Sequence, residues 1–80
     1  MDKRLLSLTS DDIVRILRAE GFVLSRTKGS HLQYVGLIKG QKRRVTVMAK
    51  QRRFTPKTLK SMIEQSGLNA EEWLELKERI

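Results

Sequence analysis

The sequence contains no cysteine, one histidine (His31), one proline (Pro56) and four aromatic residues. The missing thiol excludes a disulfide framework and a cysteine nucleophile, and a single histidine cannot supply the usual ligand set of a zinc site. Carboxylates are absent from residues 26–60. Two adjacent acidic pairs, Asp11-Asp12 and Glu71-Glu72, stand at expected helix starts. Their side chains diverge there and serve as caps or dipole partners, so neither makes a metal site or a two-carboxylate glycosidase pair. Lys28-Gly29-Ser30 is too short for a glycine-rich phosphate cradle. No stretch approaches the roughly 18 apolar residues of a membrane span, and the N-terminal residues lack the apolar core of a signal peptide. A soluble, cytoplasmic protein with no metal, no small-molecule cofactor and no membrane association is expected. At 80 residues the chain is read as one domain, 1–80, with one small core.

Cations are abundant and unevenly spread. The net charge is +8. Residues 1–25 are balanced and residues 61–80 are net acidic, so all of the excess lies in the 11 Lys and Arg of residues 26–60. Such clustering costs stability through self-repulsion unless a polyanion relieves it. Solvated basic loops are the plain explanation; nucleic acid is the better one.

Three helices are marked by the same local device. Thr9 caps the first, with Asp12 at its third position and Leu8 stapled to Ile13; Ile13, Ile16 and Leu17 form its stripe and Gly21 stops it. Thr55 caps the second, with Pro56 at its first position, a Leu59, Met62 and Ile63 stripe, and a stop at Gly67. Asn69 and Glu72 make the capping box of the third, which carries Trp73, Leu76 and Ile80. Between the first two helices the period falls to two. Strands are expected over 22–26, 30–37 and 43–48, joined by turns at Lys28-Gly29 and Gly40, and a basic loop follows over 49–54. In this register Leu32, Tyr34, Val45 and Val47 point inward, while His31, Gln33, Arg44 and Thr46 point outward. The fold class is α+β: an α-β-β-β-α order with a three-stranded antiparallel sheet, helices on one face, and an added C-terminal helix. Trp73 and Tyr34 are read as core.

His31 follows Gly29-Ser30 at the turn into a strand, inside the basic segment. It is either a plain polar strand residue or a catalytic base. The alternation keeps it out of the core and among Lys28, Arg44 and the 50–53 loop, and an imidazole can accept a proton. One base among many cations suits RNA, which carries its own nucleophile in the 2′-hydroxyl. The enzyme need only remove that proton and stabilise charge on the phosphoryl oxygens. DNA would need an activated external water.

Lys28-Gly29-Ser30-His31, the basic third strand, Thr55-Pro56-Lys57-Thr58-Leu59-Lys60-Ser61-Met62-Ile63 and Ser66-Gly67-Leu68 together resemble the HicA toxins of bacterial toxin–antitoxin modules. The likeness covers residues 10–76. It implies a double-stranded-RNA-binding-like fold, ribonuclease activity on mRNA with His31 essential, and a HicB-type antitoxin bound over the catalytic surface. The family commonly shows a proline and then a second histidine after the third strand. Here Val47-Met48-Ala49-Lys50-Gln51-Arg52-Arg53 has neither, so Lys50 or Gln51 must substitute or activity falls.

The expected roles follow. His31 is the base or proton shuttle, with Gly29 and Ser30 setting the approach of the backbone to phosphate; Ser30 is equally a plain turn residue. Lys28, Arg44, Lys50, Arg52 and Arg53 hold phosphates or are solvated surface cations. Lys57 and Lys60 lie near a helix start, where free N–H groups also favour phosphate, an arrangement like that of double-stranded-RNA-binding domains. The leading expectation is a metal-independent mRNA endonuclease toxin. The alternatives are a non-catalytic RNA-binding module and an inactive toxin relic that only binds its antitoxin.

Overall fold

Thr9, Thr55 and Asn69 each begin a helix in the computed structural model, which describes residues 1–80. The elements are α1 (Lys3–Leu6), α2 (Ser10–Ala19), β1 (Val23–Lys28), β2 (His31–Ile38), β3 (Gln41–Met48), α3 (Pro56–Ser66) and α4 (Ala70–Arg79). The Thr9 hydroxyl accepts from the Asp12 N–H and the Asp12 carboxylate accepts from the Thr9 N–H, a closed capping box. Asn69 and Glu72 repeat it. The Asn69 N–H, with help from Lys39, holds the Glu72 carboxyl below its usual range. Gly67 closes α3 with φ +78°, a left-handed cap that a Cβ would strain.

The sheet is antiparallel in the order β1-β2-β3. Leu32 pairs with Val47 and Tyr34 with Val45 on the inner face, while His31 pairs with Met48, Gln33 with Thr46 and Val35 with Arg44 on the open face. Tyr34, Val45 and Val47 are buried against Ile13, Ile16 and Leu17 of α2, Leu59 and Met62 of α3, and Trp73 of α4. Helix α3 also covers the free edge of β3, where Gln65 Oε1 accepts from the Thr46 N–H at 3.3 Å. The α-β-β-β-α order with its C-terminal helix is therefore as the sequence implied. Trp73 is wholly buried, and its Nε1 donates to Ser66 Oγ at 3.0 Å. No helix is long and apolar enough to cross a membrane.

The strand boundaries shift. The expected first strand, 22–26, becomes Val23–Lys28, because Phe22 turns inward to pack beneath β2 and an irregularity between Leu24 and Arg26 breaks the alternation. All six β1 residues are exposed. Strands β2 and β3 run further than the periodicity suggested, leaving a two-residue Lys39-Gly40 turn with φ +54° and +79°. Positive φ at both positions matches the right-handed twist of the flanking strands, so pairing continues up to the turn. Helix α1 was not anticipated: four residues are too few to show a period, although its Leu5 is fully buried.

Gly36 is required for space. A Cβ there would lie 2.9 Å from the Phe22 ring, which is itself only 2 % exposed. Gly36→Ala is expected to cost about 1–3 kcal/mol through overpacking, lowering Tm by roughly 5–15 °C in a thermal melt.

Candidate active site

The turn Gly29-Ser30 delivers His31 to the first position of β2, with its side chain on the open face and exposed. Gly29 adopts φ +58°, which an L residue reaches only with strain. The Ser30 carbonyl accepts from the Ala49 N–H at 2.7 Å, so the His31 end of β2 is tied to the exit of β3. Directly opposite His31, Lys28 ends β1 on the same face.

Beyond β3 the chain must turn sharply to reach α3, and buried Ser10 holds that turn. Its hydroxyl donates to the Met48 carbonyl at 2.6 Å and accepts from the Gln51 N–H at 2.8 Å, while its own N–H donates to the Gln51 carbonyl at 2.9 Å. Lys50 at the tip takes φ +60°. The consequence is a cleft of about 350 Å³ between the open face of the sheet and the start of α3. His31, Thr46 and Met48 form one wall, and Gln51, Arg53 and Phe54 the end. Thr55, Thr58 and Met62 from α3 form the other wall.

No carboxylate lines this cleft, and Arg53 takes no part in any of the four ion pairs of the protein. The Thr55 hydroxyl donates to Thr58 Oγ1 at 3.0 Å, which leaves the Thr58 proton free to be donated into the cleft. The site thus combines an exposed imidazole, a guanidinium without a carboxylate partner, an amide and a free hydroxyl donor.

Over this whole region, from α2 to the end of α3, the chain matches a known pattern. The family model described as HicA toxin of bacterial toxin-antitoxin covers residues 10–68. The chain belongs to the HicA toxin family. It is therefore a toxin of a bacterial toxin–antitoxin system, and an antitoxin partner goes with it. No curated protein sequence matches the chain. Every residue lining the His31 cleft falls inside the matched span of this HicA toxin, whereas α1 and α4 lie outside it.

The residues singled out in the sequence separate in space. Arg53 joins His31 in the cleft, and Arg52 lines a neighbouring hollow instead. Arg44 shares the open face but lies four residues along the sheet, about 13 Å away at strand spacing. There it donates to Gln33 Oε1 at 2.6 Å. Lys57 and Lys60 are exposed on α3 but line no part of the cleft; Lys60 lies about 200° around the helix from Thr58. Of Lys50 and Gln51, Gln51 lines the cleft of this HicA toxin and Lys50 does not.

Thr46, Thr58 and Ser10 carry no mark in the sequence as site residues. Thr58 could have been found, since it sits three positions after the helix cap Thr55. Ser10 could not, because its partners are about 40 residues away along the chain. Ser10→Ala leaves the Gln51 N–H and the Met48 carbonyl without their partner, at a cost of about 1–3 kcal/mol. The expected signs are a lower Tm and faster hydrogen exchange at the Gln51 amide.

Proposed function

We propose that this toxin is a metal-independent endoribonuclease that cleaves mRNA, with His31 as general base. The observation that carries the reading is a lone, exposed imidazole in a cleft that holds Arg53 and no carboxylate. With an RNA strand in the cleft, the imidazole takes the proton of a ribose 2′-hydroxyl. The 2′-oxygen then bonds to the adjacent phosphorus, the bond to the 5′-oxygen of the next nucleotide breaks, and that oxygen leaves with a proton taken from a water molecule, while the imidazolium returns its proton to solvent. The products are a 2′,3′-cyclic phosphate and a 5′-hydroxyl. General-base assistance supplies roughly 10²–10⁴-fold.

Charge gathers on the phosphoryl oxygens during this step, and donors fixed in advance at that point lower the barrier. Arg53, the Thr58 hydroxyl and the Gln51 amide are among the donors within the cleft, and Gln51 takes the part the family gives to its second histidine. Lys28 beside His31 holds a flanking phosphate, with Gly29 and Ser30 allowing the RNA backbone close to the turn. Lys50, Arg52, Arg44, Lys57 and Lys60 act at longer range, raising the local concentration of the polyanion. The antitoxin partner is of the HicB type and acts by covering the cleft.

Incubation of purified protein with mRNA in excess EDTA tests the mechanism. Cleavage at an undiminished rate, with cyclic phosphate ends, is the expected result. A requirement for added divalent metal would contradict it. Tight RNA binding with no cleavage in any condition would reassign the protein as a non-catalytic RNA binder, and antitoxin binding alone as a toxin relic.

A further inference from the structure

A second hollow, of about 510 Å³, opens beside the His31 cleft. It lies between α1 and the loop that enters α3, and Lys3, Ser7 and Arg52 are its polar contributors. Arg53 and Phe54 line both hollows and so form the ridge between them. None of its lining residues is acidic. The acid adjacent to Lys3 is already engaged: the Arg4 guanidinium pairs with Asp2 at 3.1 Å, holding its carboxyl below the usual range, and also reaches Glu78 at 2.9 Å. Lys3, Arg52 and Arg53 take part in no ion pair.

We infer that this hollow is a subsite for single-stranded RNA, receiving the nucleotides that run on from the strand held at His31. The inference rests on the endoribonuclease reading for the identity of the polymer, and on the geometry for its path. Three cations without carboxylate partners line the two joined hollows, and a strand brings one phosphate charge per nucleotide to meet them. Half-buried Phe54 is packed against the core at the ridge, a rigid ring against which a base can stack where the strand crosses. A duplex would keep its bases paired and stacked, with none free to stack on the ridge. Lys3, Leu6 and Ser7 precede the span that the family model covers, so α1 gives this chain a longer RNA track than the matched span alone.

Equilibrium binding separates this subsite from the catalytic reading, because it can be read without cleavage. His31→Ala protein, which leaves RNA whole, is titrated with a minimal oligoribonucleotide and with one long enough to enter the second hollow, over a range of salt. The longer RNA is expected to bind several-fold more tightly, and Lys3→Glu to abolish most of that gain. The salt slope for the longer RNA should fall by about 0.7 for the one phosphate released. Arg15→Glu, an equal change of charge on exposed α2 surface, should keep both the gain and the slope. Lys3→Ala, with its Tm measured, guards against unfolding of α1. The subsite is overturned if Lys3→Glu retains the full length gain and slope, or if it weakens antitoxin binding while leaving RNA binding unchanged. Length-dependent binding without cleavage by the unmodified protein would sink the nuclease and leave the subsite standing. Cleavage with no length gain would do the reverse.

Discussion

His31→Ala is expected to reduce RNA cleavage by roughly 10²–10⁴-fold while leaving the fold intact, since general-base assistance is lost and little packing goes with it. The side chain is exposed and makes none of the side-chain hydrogen bonds that fix the sheet, so Tm should change by no more than a surface substitution allows, about ±0.5 kcal/mol in stability. The turn that presents it is held by backbone: the Ser30 carbonyl takes the Ala49 N–H, and Gly29 keeps its left-handed conformation. The pairing of lost activity with kept stability is what distinguishes a base from a structural residue. Single-turnover cleavage of an end-labelled RNA, run beside a thermal melt, checks both. Cleavage by the variant at the rate of the parent would remove the imidazole from the mechanism.

Trp73→Ala carries the largest expected loss of stability, about 3–5 kcal/mol from the removed ring and the cavity left behind. The ring is fully buried, and its Nε1 donates to Ser66 Oγ, which also donates to the Ile63 carbonyl and accepts from the Leu68 N–H. These bonds fix the end of α3 to the start of α4. A domain of this size has a total stability of only about 4–12 kcal/mol, so the variant should lose a large share of it, with a urea midpoint far below that of the parent. Trp73→Phe keeps most of the packing and loses the hydrogen bond, with an expected cost of about 1–2 kcal/mol. Urea titration followed by far-ultraviolet circular dichroism measures both, because the substitution removes the only tryptophan that fluorescence could report. The antitoxin, if it binds only the folded toxin, should stabilise Trp73→Ala by an amount that rises with the logarithm of its free concentration.

The order of elements from α2 onward could be read directly, and for an identifiable reason. Thr9 with Asp12, Thr55 with Pro56, and Asn69 with Glu72 act across three residues or fewer, so their effect survives without knowledge of the rest of the chain. The alternation through Leu32, Tyr34, Val45 and Val47 told the inner face of the sheet from the outer, and so kept His31 in solvent. β1 was harder. Its inward residue is Phe22, outside the strand, and the break at Ser25 disturbs the two-residue period by which strands are recognised.

Membership of the site divided along the same line. His31 stood out because it is the sole imidazole in a segment without acids, a property of composition. Its company did not follow from proximity in the chain. Arg44, three residues from Val47, lies far along the sheet, while Thr58 and Met62 reach the cleft from a helix beyond the basic loop.

The chain alone determined the ingredients: a cation-rich middle, one imidazole, and helices and strands set by local capping and periodicity. Tertiary structure decided which cations stand beside that imidazole, that Ser10 fixes the turn carrying Gln51 and Arg53, and that α1 adds a second basic hollow. The reason is that caps and side-chain period are short-range, whereas a cleft is the product of strand register and of packing between residues as far apart as Ser10 and Gln51.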